Sequence, residues 1–338
     1  MELSLYGPDG FFTGPILRSQ KSGDFLTSPE VSPLFGETIA RFVASEHDRI
    51  GDPFAVVEVG AGSGSLLRPL LNAPGITGRD FETWAVEVSP AARAALGQIL
   101  APDRIVGNLD QLPDPIRGVV IANELVDNLP LAIAQLSEAG WRERWVGPDD
   151  EHGLTFVDAP PRPEVVEWLE KYSGPVPAGG WVEVQLEAVA WLRRVLSRLA
   201  AGALLVVDYG DTAEDLAPRR SSGTLRTYRS HHLGPDPLDE PGATDITADV
   251  NFSALVATAR EAGTDVTLSR QDDFLTTWGL RERLSDFRRR ELELARTGDE
   301  SQRLRERSRR IEAETLLHPR GLGDFRVMIA RVKSRELG

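Results

Sequence analysis

The chain has 338 residues, 41% apolar and 27% charged, with 38 basic against 52 acidic side chains and a formal net charge of −14. That balance is the one expected of a soluble globular protein with room for a large core, and it excludes a global basic field for nucleic acid or an anionic membrane surface. Cysteine is absent, which removes disulfides, thiol nucleophiles and cysteine-held metals, and the adjacent pair His231 and His232, among only five histidines, reads as a surface or turn feature and not a metal site.

Residues 1–10 show no basic segment followed by an apolar one, and no apolar run approaches the ~20 residues of a membrane span, so a cytoplasmic protein without membrane insertion is expected. Residues 1–36, rich in Gly, Pro and Ser, read as an ordered arm without helix or strand. "PLFGETIARFVASEH", Pro33 to His47, has helical apolar spacing at Leu34, Ile39, Phe42 and Val43. A strand "AVVEV" (55–59) and a helix-like "SLLRPLL" follow, then a strand at 83–88, an alanine-rich helix from Pro90 to Leu100, and strands at 104–106 and 118–124. The last begins with the continuous apolar run of a buried parallel strand. This alternation of strand and helix predicts an α/β fold, a mostly parallel sheet with helices on both faces.

The rhythm then changes. Residues 131–162 alternate as in inserted antiparallel strands, Ser173–Gly180 reads as a loop, and a helix around Leu186–Ala200 leads into a buried strand at 203–208. "LRTYRSHH" is strand-like, Phe252–Ala262 helical, and strands are expected at 265–270 and 324–332. Residues 279–316 are densely charged and helical, which reads as a solvated face.

"EVGAGSG" places Gly60, Gly62 and Gly64 directly after a strand and before a helix, where glycine permits a sharp turn and close approach of a ligand to the main chain. A dinucleotide fingerprint would put glycine at position 65, where Ser65 stands. The G-x-G-x-G spacing is more typical of S-adenosylmethionine (SAM) methyltransferases, and a glycine turn with no ligand is the bland alternative. Glu87 closes the second strand 23 residues after Gly64, near the offset at which an acidic residue accepts both ribose hydroxyls. The fourth strand runs into "ANELVDNLP", which puts Asn123, Glu124 and Asp127 at the sheet edge that lines the ligand crevice. Asp127 could instead cap a following helix.

The segments "GDFLTSPEVSPLFGE", "VVEVGAGSGSLL", "VEVSP", "ANELVDNLP", "GWRERWVG", "VVDYG", "TLRTYRSH", "DITADVNFSAL" and "GLGDFRVMIA" occur in this order over nearly the whole chain. In that series the chain resembles the MidA family, which includes mitochondrial complex I assembly-factor methyltransferases. Ala61 and Ser63 stand where the family loop commonly has proline and arginine, Leu125 and Val126 replace two aromatics, and Asn251 replaces an aspartate. The resemblance implies a class I SAM-dependent methyltransferase fold with a seven-stranded sheet and an inserted lid or substrate region. It also implies a protein substrate and, in the mitochondrial members, methylation of arginine.

The expected organisation is an arm and helix closing over the cofactor (1–50), a SAM-binding half-core (51–130), an insertion (131–200) and the remaining core (201–338) with a second insertion at 211–250. Expected SAM contacts are Glu58, Gly60, Gly62, Gly64, Glu87, Asn108, Leu109 and Asn123, with Thr27, Ser28 and Glu30 from the arm. Asp127, Glu124 and Asn123 are the catalytic candidates, and no metal is required, because methyl transfer from a sulfonium is an in-line displacement that depends on positioning in a dry site. A small-molecule methyltransferase, a non-catalytic SAM-binding assembly factor and, despite Ser65, a NAD-linked oxidoreductase are the alternatives.

Overall fold

The computed structural model describes residues 1–14, 27–149, 153–229 and 232–332. Residues 23–26 of the arm motif, and His231 of the histidine pair, lie outside the described residues, while His232 is exposed in a short strand.

Seven strands form the central sheet: β1 (Ala55–Val59), β2 (Glu82–Val86), β3 (Ile105–Val106), β4 (Ile116–Asn123), β5 (Leu199–Asp208), β6 (Asp265–Arg270) and β7 (Arg326–Val332). Their spatial order is β3-β2-β1-β4-β5-β7-β6. Neighbours from β3 through β5 are parallel, and β7 runs antiparallel to both β5 and β6. This is the expected mostly parallel, seven-stranded sheet, and its last two strands in the chain close it as an antiparallel pair.

Side chains along a strand alternate between faces, and here both faces are covered. Val56, Val119, Ile121, Leu205 and Val207 meet Phe35, Ile39 and Phe42 of the helix Pro33–Ile50 on one side. Val57, Val120, Leu204 and Val206 turn to the other, against Leu192 and Val195 of the helix Leu186–Arg198 and Phe252 and Leu255 of the helix Phe252–Glu261. Burial on two faces is why these strands read as unbroken apolar runs.

The insertion supplies a four-stranded antiparallel sheet in the order Gly153–Ala159, Gly140–Asp149, Ala132–Ser137, Trp181–Val184. A helix Pro163–Tyr172 closes it: Val165, Trp168 and Leu169 pack on Val182 and Val184, and Ala254 of the core joins the same cluster. The charged segment is a pair of helices, Leu280–Thr297 and Glu300–Leu316, that reverses at Gly298 with φ +83°. Its roots, Leu284, Phe287, Ala313 and Leu316, are buried in the core, and its outer faces are solvated and carry ion pairs such as Arg310–Glu291 at 2.7 Å.

Several boundaries differ from expectation. The arm is not free of regular structure, because Glu2–Tyr6 and Ser28–Val31 are short helices. Thr27 and Glu30 form a reciprocal capping box around the second, which also has Pro29 in its first turn. The helix after the glycine loop shrinks to Leu67–Leu71, and the alanine-rich one stops at Leu96. β5 begins four residues before the expected start, so the last residues of the expected preceding helix, Leu199 and Ala200, are strand.

Candidate active site

Strand order reverses between β1, which leads outward to β2, and β4, which leads the other way to β5. At such a switch point the loops leaving the two strands part, and a crevice opens beyond their carboxyl ends. A cavity of about 500 Å³ lies there, walled by residues from the glycine loop, the end of β2, the end of β4, the segment after β5, the arm and the strand pair near 226 and 245.

The glycine loop leaves β1 with Gly60, Gly62 and Gly64 at φ +71°, +52° and +80°, a region that L-residues rarely occupy. Gly60 and Gly62 wall the cavity, and a side chain at Gly60 would meet Leu125 at 2.9 Å. Gly64 does not wall it; a Cβ there would lie 2.3 Å from Ile99 Cδ1. Its role is therefore close packing of the loop on the next helical layer, not ligand contact.

Glu87 follows β2 and is 7% exposed. Its Oε2 accepts the Gly62 N–H at 2.7 Å and its Oε1 the Ser89 N–H at 2.7 Å. Burial pushes its carboxyl up, and these two amides oppose the shift. The carboxylate thus braces the loop while it walls the cavity. Glu58, on β1, is buried with Oε2 unpartnered, and burial followed by the nearby charge of Glu87 raises its carboxyl well above the usual range.

Beyond β4 the chain bends sharply. Glu124 has φ +49°, the one non-glycine residue with positive φ among the described residues. Such a conformation persists only where surrounding contacts hold it, and it recurs at sites of function. Glu124 donates its N–H to Val207 O at 2.8 Å, and its Oε1 accepts from Ser28 N at 3.3 Å and Asn123 Nδ2 at 3.4 Å. Burial, then the charge of Asp127, pushes its carboxyl up to about 8. Asn123 ends β4 with its Oδ1 buried and unpartnered.

Asp127 sits inside the single 3-10 turn Val126–Asn128, whose N-cap is Leu125. The helix-cap alternative therefore falls. Asp127 Oδ2 accepts from the Tyr209 hydroxyl and from Thr247 Oγ1, the latter at 2.7 Å, while its Oδ1 is buried and unpartnered. Asp208, fully buried at the end of β5, accepts the N–H groups of Val126 (2.9 Å), Asp127 (3.3 Å) and Tyr209 (3.0 Å). Burial, then the charges of Asp127 and Glu124, push its carboxyl well above the usual range, and the Asp127 and Val126 N–H groups oppose that shift.

The structure brings together Glu58, Gly60, Gly62, Glu87, Asn123, Glu124 and Asp127 with Thr27 and Glu30 of the arm. Ser28 reaches the site only through its main-chain N–H to Glu124, because its hydroxyl bonds Gln271. Asn108 and Leu109, expected as cofactor contacts, do not wall the cavity: Asn108 caps its own turn by accepting the Asp110 N–H, and Leu109 is buried in the core. The sequence reading passes over Asp208, Tyr209 and Thr247. The first two end β5 at the sheet edge that singled out the end of β4, so the same rule extends to "VVDYG"; Thr247 had no comparable signal.

SAM fits this donor set. Its ammonium, ribose hydroxyls and adenine amine are hydrogen-bond donors, and the cavity wall carries the unpartnered acceptors Glu58 Oε2 and Asn123 Oδ1. Glu58, Gly60, Gly62, Glu87 and Asn123 are the residues suited to hold SAM. Among the described residues no cluster of metal-binding side chains occurs.

Sheet order, crevice and donor set define a class I SAM-dependent methyltransferase. The family model described as "Putative S-adenosyl-L-methionine-dependent methyltransferase" matches residues 38–269, and the chain belongs to this family, the MidA methyltransferases. A COG1565 superfamily member from Burkholderia thailandensis, solved bound to S-adenosyl-homocysteine (SAH), is 32% identical over 99% of this chain and 87% of that one, with a TM-score of 0.86. The mitochondrial protein arginine methyltransferase NDUFAF7 of Danio rerio is 32% identical, covering 78% of this chain and 68% of the relative, and that of Xenopus tropicalis is 30% identical, covering 78% and 66%. The match thus spans about two thirds of the length of these relatives.

Proposed function

We propose that the protein transfers a methyl group from SAM to a side-chain nitrogen of a protein, with arginine as the acceptor. The observation that carries this reading is the cluster of buried carboxyls at the ends of β4 and β5, where Glu124 and Asp127 face the same cavity as the glycine loop. The names of the relatives quoted above support the choice of arginine.

Bound SAM supplies an electrophilic methyl on a sulfonium. A guanidinium is protonated in water, so as the nitrogen–carbon bond forms and the carbon–sulfur bond breaks, one proton must leave the nitrogen. Asp127 Oδ1 is placed to accept an acceptor N–H and hold the group in line. Glu124 takes the departing proton: burial lifts its carboxyl toward neutrality, and an arriving cation favours its ionised form beforehand. Asn123 orients Glu124 through its amide. The arm helix, bonded to Glu124 through Ser28 N–H, closes one wall and excludes water.

The test is incubation with methyl-labelled SAM and a lysate from cells lacking the protein. Label in the protein fraction, reduced by Asp127→Asn and Glu124→Gln, is the expected result. Label confined to small molecules would replace the protein acceptor with a metabolite, and SAM binding without any transfer would replace catalysis with a binding role.

A further inference from the structure

Asp127 is held by more than its own turn. Its main chain is pinned by Asp208 Oδ2, which accepts the Val126 and Asp127 N–H groups, and by Ala248, whose N–H donates to Asp127 O at 3.2 Å. What remains free is rotation of the carboxylate, and two hydroxyls from separate elements fix it. Thr247, fully buried, ends the strand Asp245–Thr247, and Tyr209 directly follows β5. The Tyr209 ring is itself wedged, edge-to-face against Phe325 at 5.5 Å and beneath the Arg226 guanidinium at 5.6 Å. Both hydroxyls meet Oδ2 and also touch each other, so the two side chains and the carboxylate oxygen form one cluster, and neither hydroxyl meets Oδ1.

We propose that Tyr209 and Thr247 are positioning residues: by engaging Asp127 Oδ2 together, they present Oδ1 alone to the acceptor nitrogen. The proposal rests on the reading of Asp127 as the acceptor-facing group. A carboxylate free to rotate would share its two oxygens between solvent and acceptor, whereas one whose far oxygen takes two hydroxyl donors has a single open face. Burial pushes the Asp127 carboxyl above its ordinary value, and the two hydroxyls, with the Asn128 and Asp127 amides, oppose that shift among the titratable groups around it, Glu124, Asp208, Tyr6, Tyr209 and, through Asn128, Asp245. The guanidinium of Arg226 lies over the ring of Tyr209, outside the carboxylate's own hydrogen bonds.

The test is titration of Asp127 in the full-length, SAH-saturated protein by carbon NMR of labelled aspartate carboxyls, with its signal assigned by loss in Asp127→Asn. Tyr209→Phe and Thr247→Val should each raise the Asp127 midpoint by roughly one pKa unit or more, the size expected for a lost hydrogen bond to a charged group. Thr247→Ser, which keeps the hydroxyl, should restore it. With methyl-labelled SAM and the lysate, the same two variants should transfer label about tenfold more slowly with half-saturation by SAM unchanged, and Thr247→Ser should recover the rate. An unchanged midpoint in both variants overturns the proposal, as does a slower rate that follows weakened SAM binding. The titration needs no acceptor: absence of labelled protein from the wild type counts against the proposed function, while the midpoints still decide the positioning role.

Discussion

Replacing Glu87 separates the proposed ligand contact from a loop brace; the structure shows the brace and sets the residue in the cavity wall. A glutamate at a strand end can ordinarily be removed without harm to a fold. Here the carboxylate accepts two main-chain N–H groups at 2.7 Å while only 7% exposed, so it supports the loop. Each hydrogen bond to a charged group contributes about 1.5–3 kcal/mol. Glu87→Ala should therefore cost about 3 kcal/mol of stability, at the low end of two bonds because water can enter the emptied space. Loss of the ribose contact and of the loop's shape should weaken SAH by a further 1.5–3 kcal/mol, or roughly 10–150-fold in Kd. Glu87→Gln keeps the shape and one acceptor oxygen but turns an NH₂ toward one of the two amides, so it should fall between. Thermal melts of the free protein give the first quantity and calorimetry with SAH gives the second. Normal affinity beside a lowered melting temperature would make Glu87 a brace only, and normal values of both would refute the reasoning.

Gly62 and Gly64 both have positive φ, so Gly64→Ala and Gly62→Val should each lower the melting temperature of the free protein, but only Gly62→Val, at the cavity wall beside Glu87, should also abolish SAH binding in calorimetry. Glu124 has its folded pKa raised from 4.5 to about 8, so its contribution to stability is complete below about pH 4.5 and is lost as pH rises through about 8; melts over that range should show a shallower decline in Glu124→Gln than in the wild type. Ionised Glu124 also favours a sulfonium, so the affinity of SAM relative to SAH should rise as pH passes about 8, and calorimetry should find that rise missing in Glu124→Gln. Asp127→Asn should bind SAH normally and transfer label at least tenfold more slowly, since the amide keeps the shape and loses the charge; a normal rate would remove Asp127 from the chemistry.

What the sequence discloses follows from how local each signal is. β4 and β5 are legible because burial on both faces demands long apolar runs, and Glu124 and Asp127 because strand ends at a switch point line a crevice. The helix Pro163–Tyr172 is obscured by the alternating pattern before it, although Val165, Trp168, Leu169 and Tyr172 carry its buried stripe. Gly64 belongs to the same motif as Gly60 and Gly62, yet its neighbours are Leu96 and Ile99, some thirty positions away, and no spacing within the motif shows them. Asn108 carries the acceptor oxygen expected of a ligand contact, but it spends that oxygen on its own turn, as Asn readily does. The partnership of Asp127 with Thr247 joins residues 120 positions apart and depends wholly on the tertiary fold.

The central claim is that the carboxyls of Glu124 and Asp127 serve methyl transfer to an arginine nitrogen. Its most direct measurement is acid hydrolysis of the protein labelled by this enzyme and methyl-labelled SAM, with chromatography of the released amino acids. Label that travels with methylated arginine is the predicted result; label that travels with methylated lysine, or is released by mild base as from a methyl ester, would contradict the account.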